Sequence, residues 1–172
     1  PPYVTFTDAS LKYNVRQYST YNTKNLFALC GERFTSLVCN NASIGYIIPL
    51  SGMSIDGFES LQNIIYSNCH SWNSYYSGDR NPSELFTGVK IRAGIYISRH
   101  QKGNGRKYVG RYIKYSAAER GILFSKINYV EIKDYISAPK VPTTIGYSIL
   151  QKIRGINTTL AIKNSEIQVP TF

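Results

Sequence analysis

The sequence predicts an α/β fold in which a short hydrophobic strand lies between two amphipathic helices. Residues 42–50 (ASIGYIIPL) are rich in β-favouring apolar residues and indicate a fully buried strand that ends at Pro49. Apolar residues recur at spacings of three and four before and after it. This helix–strand–helix succession is typical of a sheet with helices on both faces. Ligands of such sheets bind beyond the carboxyl ends of the strands, so we expect a site at residues 49–52.

Capping residues delimit the two predicted helices. The first is expected to start after Asn22 or Thr23 and to run to about Cys39. Its predicted buried face consists of Leu26, Phe27, Cys30, Phe34, Leu37 and Val38. The second is expected to follow the cap Ser54, with a buried stripe of Ile55, Phe58, Leu61 and Ile65.

Further strands are expected after the second helix. Residues 69–77 have the composition of a short strand, and residues 90–98 alternate apolar and polar side chains. A Gly-containing turn follows, so residues 107–115 are expected to return as an antiparallel partner of 90–98, in a hairpin at the edge of the sheet. Later residues predict a short helix over 117–124, a linker-like break at 138–142 and a loose strand over 157–169. A helix is also expected from Thr143 or Thr144, with an apolar stripe of Ile145, Ile149, Leu150 and Ile153.

Charge is unevenly distributed along the 172 residues, whose net charge is +10. Residues 1–98 hold seven Lys/Arg and six Asp/Glu, whereas residues 99–172 hold thirteen and four. A basic second part favours a polyanionic partner. The fifteen tyrosines agree with this interpretation, because aromatic rings among cations suit stacking on bases. The alternative is a solvated basic surface that binds no partner.

One run of cations is the best candidate surface for a polyanion, because it contains no acidic residue and is interleaved with three tyrosines. We call it the basic stripe; its members are Arg99, Lys102, Arg106, Lys107, Arg111 and Lys114. A surface of this kind neutralises phosphates and makes DNA binding strongly salt-dependent.

Other classes of protein find little support in the sequence. No apolar run approaches the ~18 residues of a membrane span, and the first residues lack a signal-peptide pattern, so we expect no membrane and a cytoplasmic location. The three cysteines lack CxxC spacing, which favours reduced, buried thiols. Cys69-His70 has no second pair at ligand spacing, so we expect no metal site.

Several short segments occur in a defined order over residues 1–102. They are Pro1-Pro2-Tyr3, Asn25-Leu26-Phe27 with Glu32-Arg33, Gly45-Tyr46-Ile47-Ile48-Pro49-Leu50, Asp79-Arg80, Leu85-Phe86-Thr87-Gly88-Val89 and Arg99-His100-Gln101-Lys102. In this order and spacing the chain resembles the amino-group DNA methyltransferases that carry an Asn-Pro-Pro-Tyr motif. These are the adenine-N6 class found in type II and IIG restriction–modification systems.

The resemblance implies a Rossmann-like fold that binds S-adenosylmethionine, with duplex DNA against a basic face. In the family, the motif's Asn side chain and the next carbonyl accept hydrogen bonds from the adenine amine. Here that carbonyl would belong to Pro1, and Pro2 would help to hold it rigidly. Tyr3 would stack on the adenine once it is flipped from the duplex.

The same resemblance suggests roles for other residues. Leu26, Phe27 and Pro49 match positions that line the pocket for the cofactor's adenine, although a place in the helix core is favoured for Leu26. His100 falls near the position that contacts the edge of the flipped base. Phe86 is a rival for that role, and a solvated side chain is the alternative for His100.

The resemblance also implies a division into the carboxy-terminal half of a catalytic domain (1–102) and the start of a target-recognition region (103–172). The Asn expected before Pro1 and the cofactor's Gly-rich loop are missing from the sequence. We therefore expect the remainder of the methyltransferase to lie upstream, and weak cofactor binding and no methylation by this chain alone. A nuclease or specificity partner is also expected. Two alternatives stay open: a DNA-binding specificity module without catalysis, and an Asn-Pro-Pro-Tyr enzyme that methylates protein glutamine or RNA.

Overall fold

A five-stranded mixed sheet organises the α/β fold seen in the computed structural model, which describes residues 3–8, 12–79, 84–86, 88–101, 103, 105–133 and 135–154. The strands are β1 (Ser43–Pro49), β2 (Cys69–Tyr76), β3 (Ala93–His100), β4 (Lys107–Ile113) and β5 (Val130–Ile132). Their order in the sheet is β1-β3-β2-β4-β5. β3 pairs antiparallel with both β1 and β2, and β4 pairs parallel with β2 and antiparallel with β5.

Three strands therefore end at the same edge of the sheet. The register aligns Pro49 of β1 with Ala93, Ala93 with Tyr76 of β2, and Tyr76 with Ile113 of β4. We call this the carboxyl edge, and the opposite edge, where His100 pairs with Cys69, the amino edge. The carboxyl edge is the end of the sheet at which the sequence predicts a site.

The four strands predicted within residues 42–115 are confirmed in position but corrected in topology. β1 is an edge strand and not a fully buried one, since only its Tyr46 and Ile48 are buried. The predicted edge hairpin is wrong, because β2 lies between β3 and β4. Just before β4 the chain passes very close to the start of β2. A Cβ on Gly105 would lie 1.6 Å from the Cys69 carbonyl oxygen, so only glycine fits at this position. The sheet thus continues across the division expected between residues 102 and 103.

The helices are shorter than the sequence predicts. They are α1 (Leu26–Leu37), α2 (Ser51–Ser54), α3 (Glu59–Ile65) and α4 (Thr144–Arg154), with 3-10 turns at Tyr21–Thr23, Asp56–Phe58, Ala117–Ile122 and Phe124–Lys126. α1 starts late because Asn25 is extended and forms an antiparallel bridge with Thr5. The predicted single second helix is divided into α2, a 3-10 turn and α3. The strand predicted over 157–169 lies outside the described residues.

The main hydrophobic core lies between one face of the sheet and helices α1 to α3. Its largest members include Phe27 of α1, Leu61 of α3 and Tyr96 of β3. A smaller cluster of Tyr76, Ile113, Tyr115 and Leu123 covers part of the other face. The expectation of helices on both faces is therefore corrected: the isoleucine row of β3 faces the less covered side, where Ile97 is 47% exposed.

Two predicted apolar faces are only partly buried. On α1 the buried residues are Phe27, Ala28, Leu29 and Gly31, whereas Phe34 and Leu37 are exposed. On α4 the three isoleucines of the predicted stripe are exposed, and Tyr147 and Leu150 pack against the core instead. Cys69 is the buried cysteine and Cys39 is exposed, so the expectation of buried thiols holds only in part.

Three buried tyrosines tie separate segments to the main face of the sheet. Tyr46 of β1 donates to the Phe27 carbonyl of α1 (2.6 Å), and Tyr75 of β2 donates to the Ala138 carbonyl (2.8 Å). Tyr96 of β3 donates to the carbonyl of Ile65 in α3. Because buried phenols and carbonyls are costly to leave unpaired, each bond specifies where a segment docks.

The segment 138–142, which resembles a linker in sequence, is docked on the sheet. Ala138 and Val141 are buried, and the Ala138 amide donates to the Met53 carbonyl (2.9 Å). Just before it, the Lys107 ammonium of β4 donates to the carbonyls of Tyr135 (2.6 Å) and Ile136 (2.7 Å) and lies 3.9 Å from the centre of the Tyr66 ring. These contacts hold residues 135–142 against β2 and β4.

No helix among the described ranges is both long and apolar enough to cross a bilayer.

The bond from Tyr75 to Ala138 can be tested by removing one hydroxyl. Tyr75→Phe leaves the Ala138 carbonyl without this donor, so we expect the free energy of unfolding to fall by about 1–3 kcal/mol in urea titrations. Tyr115→Phe is the matched control, because the Tyr115 hydroxyl is buried without a hydrogen-bond partner among the described residues. We expect the control to be neutral or slightly stabilising. Equal losses in the two variants would contradict the role of the bond.

Lys107 predicts an unusual pH dependence of stability. Burial lowers the pKa of its ammonium from 10.5 to about 8, so between these values the unfolded chain binds more protons at this site than the folded chain. Stability contributed by this site therefore rises with pH across that window. Relative to Lys107→Met, the wild type should gain stability between pH about 7 and about 10 in urea titrations. A difference between wild type and Lys107→Met that falls as the pH rises would refute the prediction.

Candidate functional site

Tyr3 lies beside the end of β1 at the carboxyl edge. Its hydroxyl donates to the Ile47 carbonyl at 3.0 Å, and its partly buried ring packs against the main core. Burial raises the pKa of the phenol, which therefore stays protonated and able to donate at neutral pH. The hydroxyl is thus held two residues before Pro49, at which the predicted site begins. Pro1 and Pro2 lie outside the described residues.

The loop that follows Tyr3 is ordered by two carboxylates, a feature that the sequence analysis missed. Glu32 of α1 accepts hydrogen bonds from the amides of Ser19 and Thr20 and from the Thr20 hydroxyl. Asp8 accepts from the Tyr21 hydroxyl (2.6 Å) and the Lys24 ammonium (2.9 Å).

These partners lower the pKa of Asp8 to about 2, with the hydrogen bond from Tyr21 as the largest cause. The same loop encloses a surface cavity of about 340 Å³, lined by Asp8, Lys12, Tyr13, Asn14, Val15, Arg16 and Tyr21.

A cationic groove of about 460 Å³ lies at the carboxyl edge. We call it the basic groove; Leu50, Arg92, Arg111, Tyr112, Lys140 and Pro142 line it. Leu50 directly follows β1, and Arg92 directly precedes β3. The two residues are joined by a hydrogen bond from the Leu50 amide to the Arg92 carbonyl (2.8 Å). The groove therefore adjoins the end of β1, the strand whose Ile47 carbonyl accepts the Tyr3 hydroxyl.

An irregularity in β4 directs Arg111 towards this groove. β2 and β4 pair regularly up to Asn73 with Val109 and again from Tyr75 with Tyr112, so one extra residue of β4 lies between the two registers. Consecutive strand residues normally point to opposite faces, and a bulge re-aims a side chain. Here it lets the adjacent residues Arg111 and Tyr112 line the same groove.

The other two cations of the groove are held by neighbouring polar groups. The Arg92 guanidinium donates to the Asp79 carboxylate at 2.8 Å, which raises the pKa of Arg92 further. The Lys140 ammonium donates to the Ser54 hydroxyl at 3.4 Å. Lys140 belongs to the docked segment 138–142, so its backbone is anchored by the buried Ala138 and Val141. The sequence marked this stretch only as a break.

The residues predicted to line a cofactor pocket do not share one environment. Leu26 and Pro49 are partly exposed, at the start of α1 and at the end of β1. Phe27 is only 2% exposed and stacks on Phe58 with ring centres 5.2 Å apart. The prediction that Phe27 lines a cofactor pocket is therefore corrected for its side chain, since in this structure the ring belongs to the core.

His100 lies at the wrong end of the sheet for a contact with the base at Tyr3. Ile47 pairs with Ile95, and His100 is five residues further along β3, or ~17 Å at the rise of a strand. The role predicted for His100 is therefore corrected. Phe86 is 47% exposed in the loop before β3 and forms a turn with Val89, so it is the rival that stays compatible with the carboxyl edge.

The predicted basic stripe does not form one surface. Arg99 and Arg106 lie near the amino edge, where the Arg106 amide donates to the His70 ring (3.1 Å). Arg111 and Lys114 lie towards the carboxyl edge and are exposed. Lys107 is turned inward to backbone carbonyls and is corrected from DNA-facing to structural, and Lys102 lies outside the described residues.

The parts of the chain that the structure describes contain no group of three or more His, Cys, Asp or Glu side chains able to hold a metal ion.

Comparisons with known proteins find a likeness of fold only. No family model matches the chain, and no curated protein sequence matches it. Among solved structures, the chain is similar to a chain in a cryo-EM structure of a DrdV–DNA complex, with a TM-score of 0.52 and 14% sequence identity. The match covers 65% of this chain and 13% of the DrdV chain. At this identity the likeness shows a shared α/β arrangement over a small part of the larger protein.

Proposed function

We propose that this chain takes part in methylation of adenine N6 in duplex DNA, with S-adenosylmethionine as the methyl donor. One observation carries the proposal: the Tyr3 hydroxyl is bonded to the carbonyl of Ile47, two residues before the end of β1, and the basic groove includes Leu50, the residue that follows β1. The fold likeness to a chain in a DNA complex supports DNA as the partner. On this proposal residues 1–102 are the carboxy-terminal half of a catalytic domain, and residues 103–172 begin the target-recognition region.

Methylation requires that the exocyclic amine of adenine, a poor nucleophile, be made reactive. The lone pair of adenine's exocyclic amine is delocalised into the ring, so two acceptors on its N–H groups are needed to favour a tetrahedral nitrogen. The Pro1 carbonyl would be one acceptor, and the fixed φ of proline helps to hold it in place. The Asn that precedes the family's motif would be the other, and it would come from upstream.

Tyr3 would stabilise the flipped base by stacking. Its hydroxyl is already bonded to the Ile47 carbonyl, so the orientation of the ring is restricted before DNA binds. Stacking of a base on an aromatic ring is worth about 1–3 kcal/mol, which helps to offset the cost of unstacking the base from the duplex. Phe86 would contact the base edge from the loop before β3.

The residues present fit only part of S-adenosylmethionine. Leu26, at the start of α1, and Pro49, at the end of β1, offer partly exposed apolar surface, which would suit the adenine of the cofactor. The cofactor supplies the methyl group. Groups that bind its ribose and methionine would come from an upstream part of the catalytic domain, which agrees with a match to only 13% of the DrdV chain. In a restriction–modification system, a nuclease or a specificity subunit would be the further partner.

Tyr3 variants of the full-length gene product test this function. We expect Tyr3→Ala to lower kcat/KM for methyl transfer to duplex DNA by roughly 5- to 150-fold, the equivalent of one lost stacking interaction. Tyr3→Phe keeps the ring and should retain most of the activity. Mispairing the target adenine lowers the cost of flipping, so it should partly rescue Tyr3→Ala.

His100→Ala is the control, because its ring lies ~17 Å along β3 from the residue opposite Ile47; we expect its activity to be unchanged. Methyl transfer to RNA or to a protein glutamine, but not to duplex DNA, would assign the chain to another substrate class. DNA binding with no methyl transfer in the wild type would favour a specificity module. Equal activity of Tyr3→Ala and wild type would refute the stacking role.

A further inference from the structure

We infer that the basic groove binds one phosphodiester group of the DNA backbone, which deepens the proposed function and rests on it. The groove brings together cations from three separate parts of the chain. Arg92 lies in the loop before β3, Arg111 in β4 and Lys140 in the segment 138–142. The basic stripe seen in the sequence includes only Arg111, so this site exists only in the folded chain.

The charge of the groove calls for an anion. Its described lining contains three cations and no carboxylate, and the nearest ion pair is that of Arg92 with Asp79. Like charges gathered at one surface repel each other, and a bound anion relieves that repulsion. A phosphodiester suits two guanidinium groups, because arginine presents planar N–H donors that can bind phosphate oxygens in pairs.

The shape of the groove favours a continuous backbone over an enclosed small molecule. Arg92, Arg111, Lys140 and Pro142 are all exposed to solvent, so the groove is open along its length. Leu50, Tyr112 and Pro142 provide apolar surface against which a sugar can pack. Regular pairing on both sides of the irregularity in β4 holds Arg111 in place before DNA binds.

The position of the groove relates it to the proposed flipped base. Leu50 is three residues beyond Ile47, whose carbonyl accepts the Tyr3 hydroxyl. Three residues of chain span at most ~10 Å, which is the axial length of about three base steps. The groove would therefore hold a phosphate within a few nucleotides of the target adenine.

The experiment compares two double variants of the full chain with equal losses of charge. Arg111→Gln/Lys140→Gln removes two cations of the groove. Arg33→Gln/Lys133→Gln removes two exposed cations outside it, one on α1 and one just after β5. Binding of duplex DNA is measured by fluorescence anisotropy at several salt concentrations, and the slope of log K against log salt is determined for each protein. Thermal melting confirms that both variants fold.

If the two cations share one phosphate, the groove variant should bind more weakly and its slope should fall by about 0.9, the value for one phosphate contact. The control variant should keep the wild-type slope. A fall of about 1.8 would mean two separate phosphates, and an unchanged slope would mean no contact; either result overturns the inference. The inference would also be overturned if inorganic phosphate or AMP stabilised the wild type but not the groove variant, while the two proteins had the same salt slope for DNA binding. The groove would then bind a small anion and not the DNA backbone.

The test of the basic groove can be distinguished from the test of the proposed methylation. Tyr3→Ala should bind DNA with an unchanged salt slope while it loses methyl transfer, and the groove variant should change the slope whether or not the chain methylates. Failure of one result therefore leaves the other standing.

Discussion

Three hydrogen bonds from buried phenols decide how this chain is arranged. Tyr46, Tyr75 and Tyr96 lie on three adjacent strands and donate to carbonyls of α1, of the segment 138–142 and of α3. A buried phenol is costly to leave unpaired, so each of these bonds favours docking of its partner segment at one place. The bonds fasten α1, α3 and the segment that carries Lys140 to the face of the sheet on which the main core lies.

The arrangement of the strands brings the residues of the candidate site to one edge of the sheet. β3 runs antiparallel between β1 and β2, so the ends of β1, β2 and β4 meet at one edge together with the start of β3. Tyr3, Leu50 and Arg92 are brought together there, although almost ninety residues separate the first from the last. The irregularity in β4 adds Arg111 to the same edge. Backbone pairing therefore places the side chains on which the proposed DNA contacts depend.

Several tyrosines do not have the function that the composition suggests. Their number agreed with stacking on nucleic-acid bases, yet Tyr75, Tyr76 and Tyr96 are among the most buried side chains. Tyr112, which lines the basic groove, and Tyr3 are the tyrosines that the carboxyl edge makes available. Lys107 is a similar case among the cations, because its ammonium binds backbone carbonyls.

Local sequence was enough to place most strands and the helix after Thr143, because alternation, capping residues and proline act over a few neighbours. It could not show that β2 separates β3 from β4 or that residues 138–142 are docked. Nor could it show that His100 lies five residues along β3 from Ile95, the residue opposite the Ile47 that Tyr3 contacts. These features depend on pairing between segments far apart in the chain, and short-range patterns carry no record of which strands become neighbours. The cations of the basic groove were visible in the sequence, but only folding brings Arg92, Arg111 and Lys140 to one place.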